Sequence, residues 1–240
     1  MQFIDMARLP ILMYHNISAN RDSNGLTISN EKLEEQFRYL KEEGYTTYHF
    51  SELENRTAVD SKSVVITFDD VTVNQLIYAV PLLEKYDLKA SFFIPFGYVG
   101  NVDSWNSGKE KIMSIEELKA LDSRVELGLH SFAHKKYAAL TETEINIDFS
   151  KCFEVIEQND LKVYNALAYP YGNYSKKEPK KSMFIAVLQQ NNVNFGLRIG
   201  NRVNKFPFKN PYEIQRIDIK GEDSLLKFKL KLRFGKLRLF

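Results

Sequence analysis

Four side chains in two short segments have the residue types and the spacing to bind a metal ion. Asp69 and Asp70 form an acid pair at the end of the apolar run 64–68, and His130 and His134 follow the apolar run 125–129. Histidines at positions i and i+4 can share one face of a helical turn. Two neutral imidazoles and one carboxylate make a three-ligand site that leaves room for water. The sequence therefore predicts a metal site formed by Asp70, His130 and His134.

Each segment also has an ordinary structural interpretation. An acid pair is typical of turns and helix caps, and an isolated His-x-x-x-His pattern is commonly an incidental feature of a surface. Their joint placement favours chemistry, because the acid pair and half of the four histidines in the chain follow predicted strands.

The apolar periodicity predicts strands that alternate with helices. The predicted strands cover residues 9–14, 45–50, 64–68, 90–95, 125–129, 163–169 and 195–199. The predicted helices cover residues 31–43, 73–86, 114–121, 141–158 and 180–191. Such alternation implies parallel pairing, since a parallel connection needs a crossover long enough to hold a helix.

Six to eight strand–helix units in a single domain predict an α/β fold, built as a distorted or incomplete (β/α) barrel with (β/α)7 as the expected form. We expect this domain to cover residues 1–224 and a basic tail to cover 225–240. In such barrels the catalytic side chains come from the C-terminal ends of the strands and the following loops. Asp69, Asp70, His130 and Pro170-Tyr171 are therefore expected at one rim.

Three segments together resemble the signature motifs of a known enzyme family. They are Thr67-Phe68-Asp69-Asp70, His130-Ser131-Phe132-Ala133-His134 and Ala168-Tyr169-Pro170-Tyr171-Gly172. In this order they resemble the first three motifs of the polysaccharide deacetylases, carbohydrate esterase family 4. The resemblance runs from about residue 12 to residue 219.

The resemblance implies a role for each matched residue. Asp69 corresponds to the general base that deprotonates the attacking water. The backbone N–H of Tyr171 matches the oxyanion donor, and Pro170 shapes that loop. The residues that match the metal ligands are Asp70, His130 and His134. The metal is usually Zn²⁺, although Co²⁺, Ni²⁺ and Mn²⁺ are also accepted.

The general acid requires a histidine that most of the family carries near the C-terminus, but no histidine follows residue 172. Leu12-Met13-Tyr14-His15 instead resembles a permuted branch, similar to the poly-β-1,6-N-acetylglucosamine deacetylases, in which this histidine comes first. The first and last strands of a closed barrel are neighbours, so His15 can reach the same rim. We assign His15 as the acid, with a buried structural histidine as the alternative.

Two positions depart from the family pattern. Val71 stands where the family has glycine, and a β-branched residue tolerates positive φ poorly, so the loop is expected to differ in shape. Ala168 replaces the arginine that orients the base. The permuted branch takes an arginine from a later strand, a place that Arg216 matches. Arg198 is the second candidate, and a surface salt bridge is the alternative for either.

The segment 96–106 is rich in glycine, aromatic and amide side chains and follows a predicted strand. Aromatic faces suit sugar rings, so Tyr98 and Trp105 are candidate substrate contacts, together with Pro170 and Tyr171. Ordinary loop packing is the alternative.

These motifs predict a hydrolase that removes N-acetyl or O-acetyl groups from an amino-sugar polysaccharide, an oligosaccharide or a lipid-linked glycan precursor. One rival is a carbohydrate-binding protein of the same fold with impaired catalysis, which Val71 and Ala168 motivate. The other is a non-haem iron oxygenase, since two histidines and a carboxylate also bind Fe(II).

Composition limits the remaining classes. The single cysteine, Cys152, excludes a disulfide framework and a thiolate zinc cluster. Six of the 33 basic residues lie in 225–240, which has no acid. Their alternation with apolar residues predicts an edge strand or a peripheral contact with an anionic membrane. The rest of the chain is acidic, which argues against nucleic-acid binding.

The chain shows neither a signal peptide nor a transmembrane run, which predicts a cytoplasmic protein. If the tail binds lipid, we expect the protein to be peripheral to the inner membrane face.

Overall fold

The computed structural model describes residues 7–20, 23–106 and 108–236. The strands in these ranges are β1 (Ala7–Leu9), β2 (Ile11–Tyr14), β3 (Asn16–Ser18), β4 (Thr27–Ser29), β5 (Thr46–Thr47), β6 (Ser63–Asp69), β7 (Ala90–Ile94), β8 (Val125–Leu129), β9 (Val163–Ala168), β10 (Phe195–Ile199), β11 (Asn204–Phe206) and β12 (Ile214–Asp218). The α-helices are α1 (Asn30–Glu42), α2 (Phe50–Leu53), α3 (Val80–Tyr86), α4 (Ile115–Lys119), α5 (Glu142–Gln158), α6 (Lys180–Gln190) and α7 (Leu225–Phe234).

Seven parallel strands close into a barrel in the order β2, β6, β7, β8, β9, β10 and β12. The closure is made by β12 and β2, where Ile217 lies opposite Leu12 and Asp218 opposite Met13. Helices cover the outside, and the short β5 pairs with the start of β6. The predicted single-domain (β/α)7 barrel is confirmed.

The alternation of side chains along each strand explains why the strand sequences are mostly apolar. One set of alternate residues, which includes Val65, Phe93 and Leu197, forms a cluster inside the barrel. The other set, which includes Ile66 and Phe92, packs against the helices. Strands covered on both sides are nearly continuous apolar runs, and all seven residues of β6 are buried. Asp69 is therefore a charged residue at the end of a fully covered strand.

The strand predicted at 45–50 is wrong beyond Thr47, because the chain turns into α2 at Phe50. The carboxylate of Glu126 in β8 accepts hydrogen bonds from the N–H groups of Phe50 and Ser51, at 2.8 and 3.0 Å. These N–H groups would be unpaired at a helix start, so a distant acid supplies the cap.

The edge strand predicted in the tail is also wrong, because the described part of the tail forms α7. Ser224 caps the helix, Gly235 ends it, and Phe228 and Leu232 are buried one turn apart. Phe228 packs edge-on against Tyr39 of α1. Residues 237–240 of the predicted basic tail, which include Arg238, lie outside the described ranges. Residues 1–6 at the N-terminus also lie outside them. None of the helices in the described ranges has the length and apolar character that a membrane crossing requires.

Candidate active site

The C-terminal ends of the barrel strands surround a cleft of about 560 Å³. The predicted site residues that line it are His15, Asp69, Asp70, Trp105, His130, His134 and Tyr171. Tyr98, Pro170 and Arg216 lie outside this lining. Residues separated by more than 150 positions in the sequence therefore meet at one rim, because the strands that carry them are parallel and their ends point the same way.

Asp70, His130 and His134 form a compact cluster at the base of the cleft. Oδ1 of Asp70 lies 3.5 Å from Nε2 of His130 and 3.3 Å from Nε2 of His134. One ligand atom from each residue lies within 4.8 Å of the other two, and all three residues are buried. Ligand atoms bound tetrahedrally to a zinc ion lie roughly 3.4 Å apart. The cluster is thus able to bind a metal ion.

The hydrogen bonds around the cluster also fit a bound cation. Nδ1 of His130 lies 2.7 Å from the carbonyl oxygen of Ala168, which can only accept, so Nδ1 carries the proton. Burial lowers the pKa of His130 to about 4, which keeps the ring neutral at pH 7. Nε2 therefore presents a lone pair toward Asp70, whose buried Oδ1 has no hydrogen-bond partner among the described residues. A cation would satisfy both atoms.

Asp69, the second acid of the pair, is bound by an arginine from the last barrel strand. Arg216 of β12 is fully buried. It donates from Nη1 to Oδ1 of Asp69 at 2.5 Å and from Nη2 to Oδ2 at 2.7 Å. Burial on its own raises the pKa of Asp69, but the positive charge of Arg216 beside it lowers this pKa, and the net pKa lies well below the usual range. Asp69 is therefore an ionised, oriented carboxylate.

The two predicted arginines thus occupy different surroundings. Arg216 is beside Asp69, whereas the charge of Arg198 acts on Tyr174 and Glu213. Ala168, where the family pattern has arginine, is fully buried among the apolar residues inside the barrel.

Val71 adopts a left-handed backbone although it is not glycine. The φ angle is 76° at Asp70 and 43° at Val71. Such a conformation costs an L-residue roughly 1–2 kcal/mol. Two features oppose that cost: the Val71 side chain is completely buried, and its carbonyl accepts a 2.9 Å hydrogen bond from the N–H of Met113. The valine is therefore accommodated by packing and not by a change to extended backbone.

His15 follows β2 and lies beside Asp69, with 3.6 Å between Nε2 of the imidazole and Oδ2 of the carboxylate. The fully buried Gln75 connects the two strand ends. Its Nε2 donates to the carbonyl oxygens of His15 at 2.9 Å and of Asp69 at 2.6 Å. Sequence reasoning missed Gln75, because a glutamine in a helical pattern is indistinguishable from an exposed polar residue.

Aromatic rings form one wall of the cleft. Trp105 stacks on the imidazole of His134, with 3.9 Å between ring centroids, and Tyr98 packs edge-on against Trp105 from outside the cleft lining. Tyr171 is 48% exposed, has a φ of 59° and meets His134 edge-on. Pro170, which precedes it, is buried. Of the candidate substrate contacts, Trp105 and Tyr171 face the cleft, whereas Tyr98 and Pro170 support them.

A closed (β/α)7 barrel with a buried His–His–Asp cluster and an arginine-bound carboxylate at its rim defines an α/β-barrel protein with a group of side chains able to hold a metal ion. The sequence profile described as polysaccharide deacetylase matches residues 56–183, more than half of the chain. The chain belongs to the polysaccharide deacetylase family.

Similar proteins agree with this membership. YxkH of Bacillus subtilis, whose name refers to polysaccharide deacetylases, is 26% identical over 179 residues, which cover 72% of this chain but only 60% of YxkH. The poly-β-1,6-N-acetyl-D-glucosamine N-deacetylase of Staphylococcus epidermidis is 23% identical over 224 residues, 86% of this chain and 72% of that protein. The structure of the Streptococcus pyogenes deacetylase PplD in complex with acetate has the same fold, with a TM-score of 0.77 and 20% identity over 95% of this chain and 99% of that chain.

Proposed function

We propose that this protein hydrolyses N-acetyl groups, or O-acetyl groups, on an amino-sugar polysaccharide, an oligosaccharide or a lipid-linked glycan precursor. One observation carries the proposal. A cluster of two imidazoles and a carboxylate that fits a divalent cation lies directly beside a second carboxylate, Asp69, which is ionised and oriented by Arg216. Adjacent acids with separate partners suit two tasks, cation binding and proton transfer.

The cation would be held by Asp70, His130 and His134. Zn²⁺ fits two imidazoles and one carboxylate, and Co²⁺, Ni²⁺ or Mn²⁺ can be held by the same donors. When bound, the ion would supply a Lewis acid that lowers the pKa of water from 15.7 to about 7.

The remaining chemistry belongs to the residues around this cluster. Asp69 accepts the proton of the attacking water, and Arg216 keeps its carboxylate ionised and facing the cleft. The backbone N–H of Tyr171 donates to the acetyl oxygen as negative charge develops there. His15, on the other side of Asp69, donates a proton to the leaving nitrogen as the C–N bond breaks. The products are acetate and a free amine.

The aromatic wall supports a sugar substrate. Trp105 and Tyr171 line the cleft next to His134 and offer apolar ring faces, against which the C–H faces of a pyranose can pack. Tyr98 packs edge-on against Trp105 and would hold its ring in place. The two relatives named for deacetylation of polysaccharides support the same substrate class.

The test is release of acetate from acetylated glucosamine oligomers. We expect activity to disappear on chelation and to return with Zn²⁺ or Co²⁺. Asp69→Asn should bind the metal normally and lose at least a hundredfold in rate, within the usual range for general-base removal. Asp87→Asn, the same change at an exposed position, is the control.

Near-normal activity of the Asp69 variant would contradict the mechanism. Bound metal without turnover of any acetylated sugar would favour the rival, a carbohydrate-binding protein. The two departures that motivated this rival have structural counterparts here: Val71 packs in the left-handed conformation, and Arg216 orients the base in place of an arginine at Ala168.

We also propose that the outer face of α7 contacts an anionic lipid surface, which would serve a lipid-linked substrate on the cytoplasmic side. Leu226 is 68% and Phe234 47% exposed, Arg233 next to Phe234 is exposed, and so is Lys236 just after the helix. This combination of apolar and basic groups complements an anionic interface. Lys231 takes no part, since it is buried in an ion pair with Asp223.

A further inference from the structure

The loop that carries both histidines of the cluster has an unfavourable backbone. It follows β8, and φ is positive at Ser131, 65°, and at His134, 50°. Neither residue is glycine, so each left-handed conformation costs roughly 1–2 kcal/mol. The loop keeps this shape only if its surroundings determine it.

One buried carboxylate determines much of that shape. Asp148 of α5 is only 6% exposed. Its Oδ1 accepts a hydrogen bond from the N–H of Phe132 and its Oδ2 one from the N–H of Ala133, both at 2.9 Å. The next N–H, that of His134, donates to Oγ of Ser131 at 2.9 Å. Three successive N–H groups between the histidines are thus bound by side-chain oxygens.

The carbonyl groups of the same loop are bound from the opposite side. The N–H of Phe96 donates to the Ser131 carbonyl at 3.1 Å, and the N–H of Gly97 donates to the Phe132 carbonyl at 2.9 Å. Gly97 allows this approach, because a Cβ there would lie 2.7 Å from the Phe132 oxygen. The turn after β7 that contains Phe96 and Gly97, together with Asp148 of α5, therefore holds the loop in place.

The position of Asp148 in α5 is unusual for an acid. The other buried residues of this helix are Ile145, Phe149 and Cys152, so Asp148 lies on the apolar face. Burying a carboxylate is costly unless its oxygens are hydrogen-bonded. Both oxygens of Asp148 accept hydrogen bonds from the histidine loop at 2.9 Å, and Oδ1 also accepts a longer one, at 3.4 Å, from the hydroxyl of Tyr137. Its placement is explained by the loop and not by the core.

We propose that Asp148 is a positioning residue for the cation site. By binding the N–H groups of Phe132 and Ala133, it sets the directions in which His130 and His134 present their Nε2 atoms to Asp70. Asp148 touches neither the cation nor the substrate and acts only through the loop. This inference rests on the cation site of the proposed function.

The test compares Asp148→Asn with a matched control, Glu126→Gln. Glu126, near the start of the same strand, β8, also binds two successive N–H groups, those of Phe50 and Ser51. Both variants exchange one carboxylate oxygen for an NH₂ group that cannot accept a hydrogen bond from an N–H. The measurements are the thermal midpoint of the metal-free protein, the affinity for Co²⁺ by chelator competition, and the absorption spectrum of bound Co²⁺.

We expect both variants to lower the thermal midpoint, and only Asp148→Asn to weaken Co²⁺ binding, by about tenfold to a hundredfold, as is typical for residues behind metal ligands. Its Co²⁺ spectrum should also change. Affinity and spectrum within twofold of the wild type for a folded Asp148→Asn would overturn the inference. If that variant does not fold, Asp148→Glu, which keeps both acceptors but displaces them by one methylene, decides by the same criterion. Failure of the wild type itself to bind metal would instead refute the proposed function.

Discussion

The ion pair of Asp69 and Arg216 predicts how the metal-free protein responds to the loss of one charge. Arg216→Met keeps an unbranched apolar side chain and removes the guanidinium. Arg216 is completely buried and both of its Nη atoms bind Asp69, so the change leaves a buried carboxylate without a counter-charge. Breaking a buried pair in this way costs about 3–5 kcal/mol, against about 0–1 kcal/mol for an exposed pair. We expect the free energy of unfolding at pH 7 to fall by the larger amount in urea titrations with chelator present.

The pKa of Asp69 gives this deficit a characteristic pH dependence. In the wild type the folded pKa lies below the unfolded value of about 3.9, so the pair contributes full stability above that pH and loses it as the pH falls further. In Arg216→Met, burial acts without the guanidinium and raises the folded pKa above the unfolded value. Protonation then neutralises the buried carboxylate, so the deficit relative to the wild type should shrink as the pH falls from 7 toward about 4.5.

A double variant supplies the control. Asp69→Asn combined with Arg216→Met removes both charges, and we expect it to be more stable at pH 7 than Arg216→Met alone, since no unpaired charge is left inside. A deficit below about 1 kcal/mol for Arg216→Met, or a deficit that does not change between pH 7 and about 4.5, would refute the reasoning.

Three further predictions concern the cluster, the strained valine and the outer helix. His134→Ala should lower Co²⁺ affinity at least tenfold in equilibrium dialysis, because one of three ligands is lost; unchanged affinity would mean that the cluster is not the site. Val71→Gly should lower the unfolding free energy by about 1–2 kcal/mol, since the lost apolar burial and the flexibility of glycine outweigh the relieved strain, and acetate release should not increase. A tenfold gain in rate would show that Val71 impairs catalysis. In flotation with vesicles containing anionic phospholipid, the wild type should float and a Leu226→Ser, Phe234→Ser variant should not; a wild type that stays unbound would exclude the lipid contact.

The barrel could be predicted from the sequence because its signals are local. Strands such as β8 and β10 are mostly apolar and follow clear helical patterns, and their observed bounds equal the predicted ones. The prediction of an edge strand in the tail failed because the local pattern was misleading there. Its alternation of apolar and basic residues has the period of a strand, but Phe228 and Leu232 are four apart and bury one helical face, and the Asp223 carboxylate neutralises the buried Lys231. Tertiary contacts thus overrode the local pattern.

The residues of the site also fall into two groups, those that could be predicted from the sequence and those that could not. Asp69, Asp70, His130, His134 and His15 could be found because each follows a recognisable strand. Gln75 and Asp148 could not, since their function depends on which main-chain groups they meet, and these belong to other elements: the carbonyls at two strand ends for Gln75 and a loop after β8 for Asp148. Their partners are set by how distant elements pack against one another, which no local pattern encodes.

The closure of the barrel by β12 has a consequence for the order in which the protein forms during synthesis. Asp69 and Arg216 are 147 residues apart, so a growing chain completes β6 long before the arginine that neutralises its acid has been made. Until β12 leaves the ribosome, β2 and β10 also lack the strand that joins them. A partial barrel would expose two strand edges and carry an unpaired carboxylate. Closure of the barrel therefore waits until β12 has been made, and chains that stop before residue 216 are expected to be substrates for chaperones and proteases and not partly active enzymes.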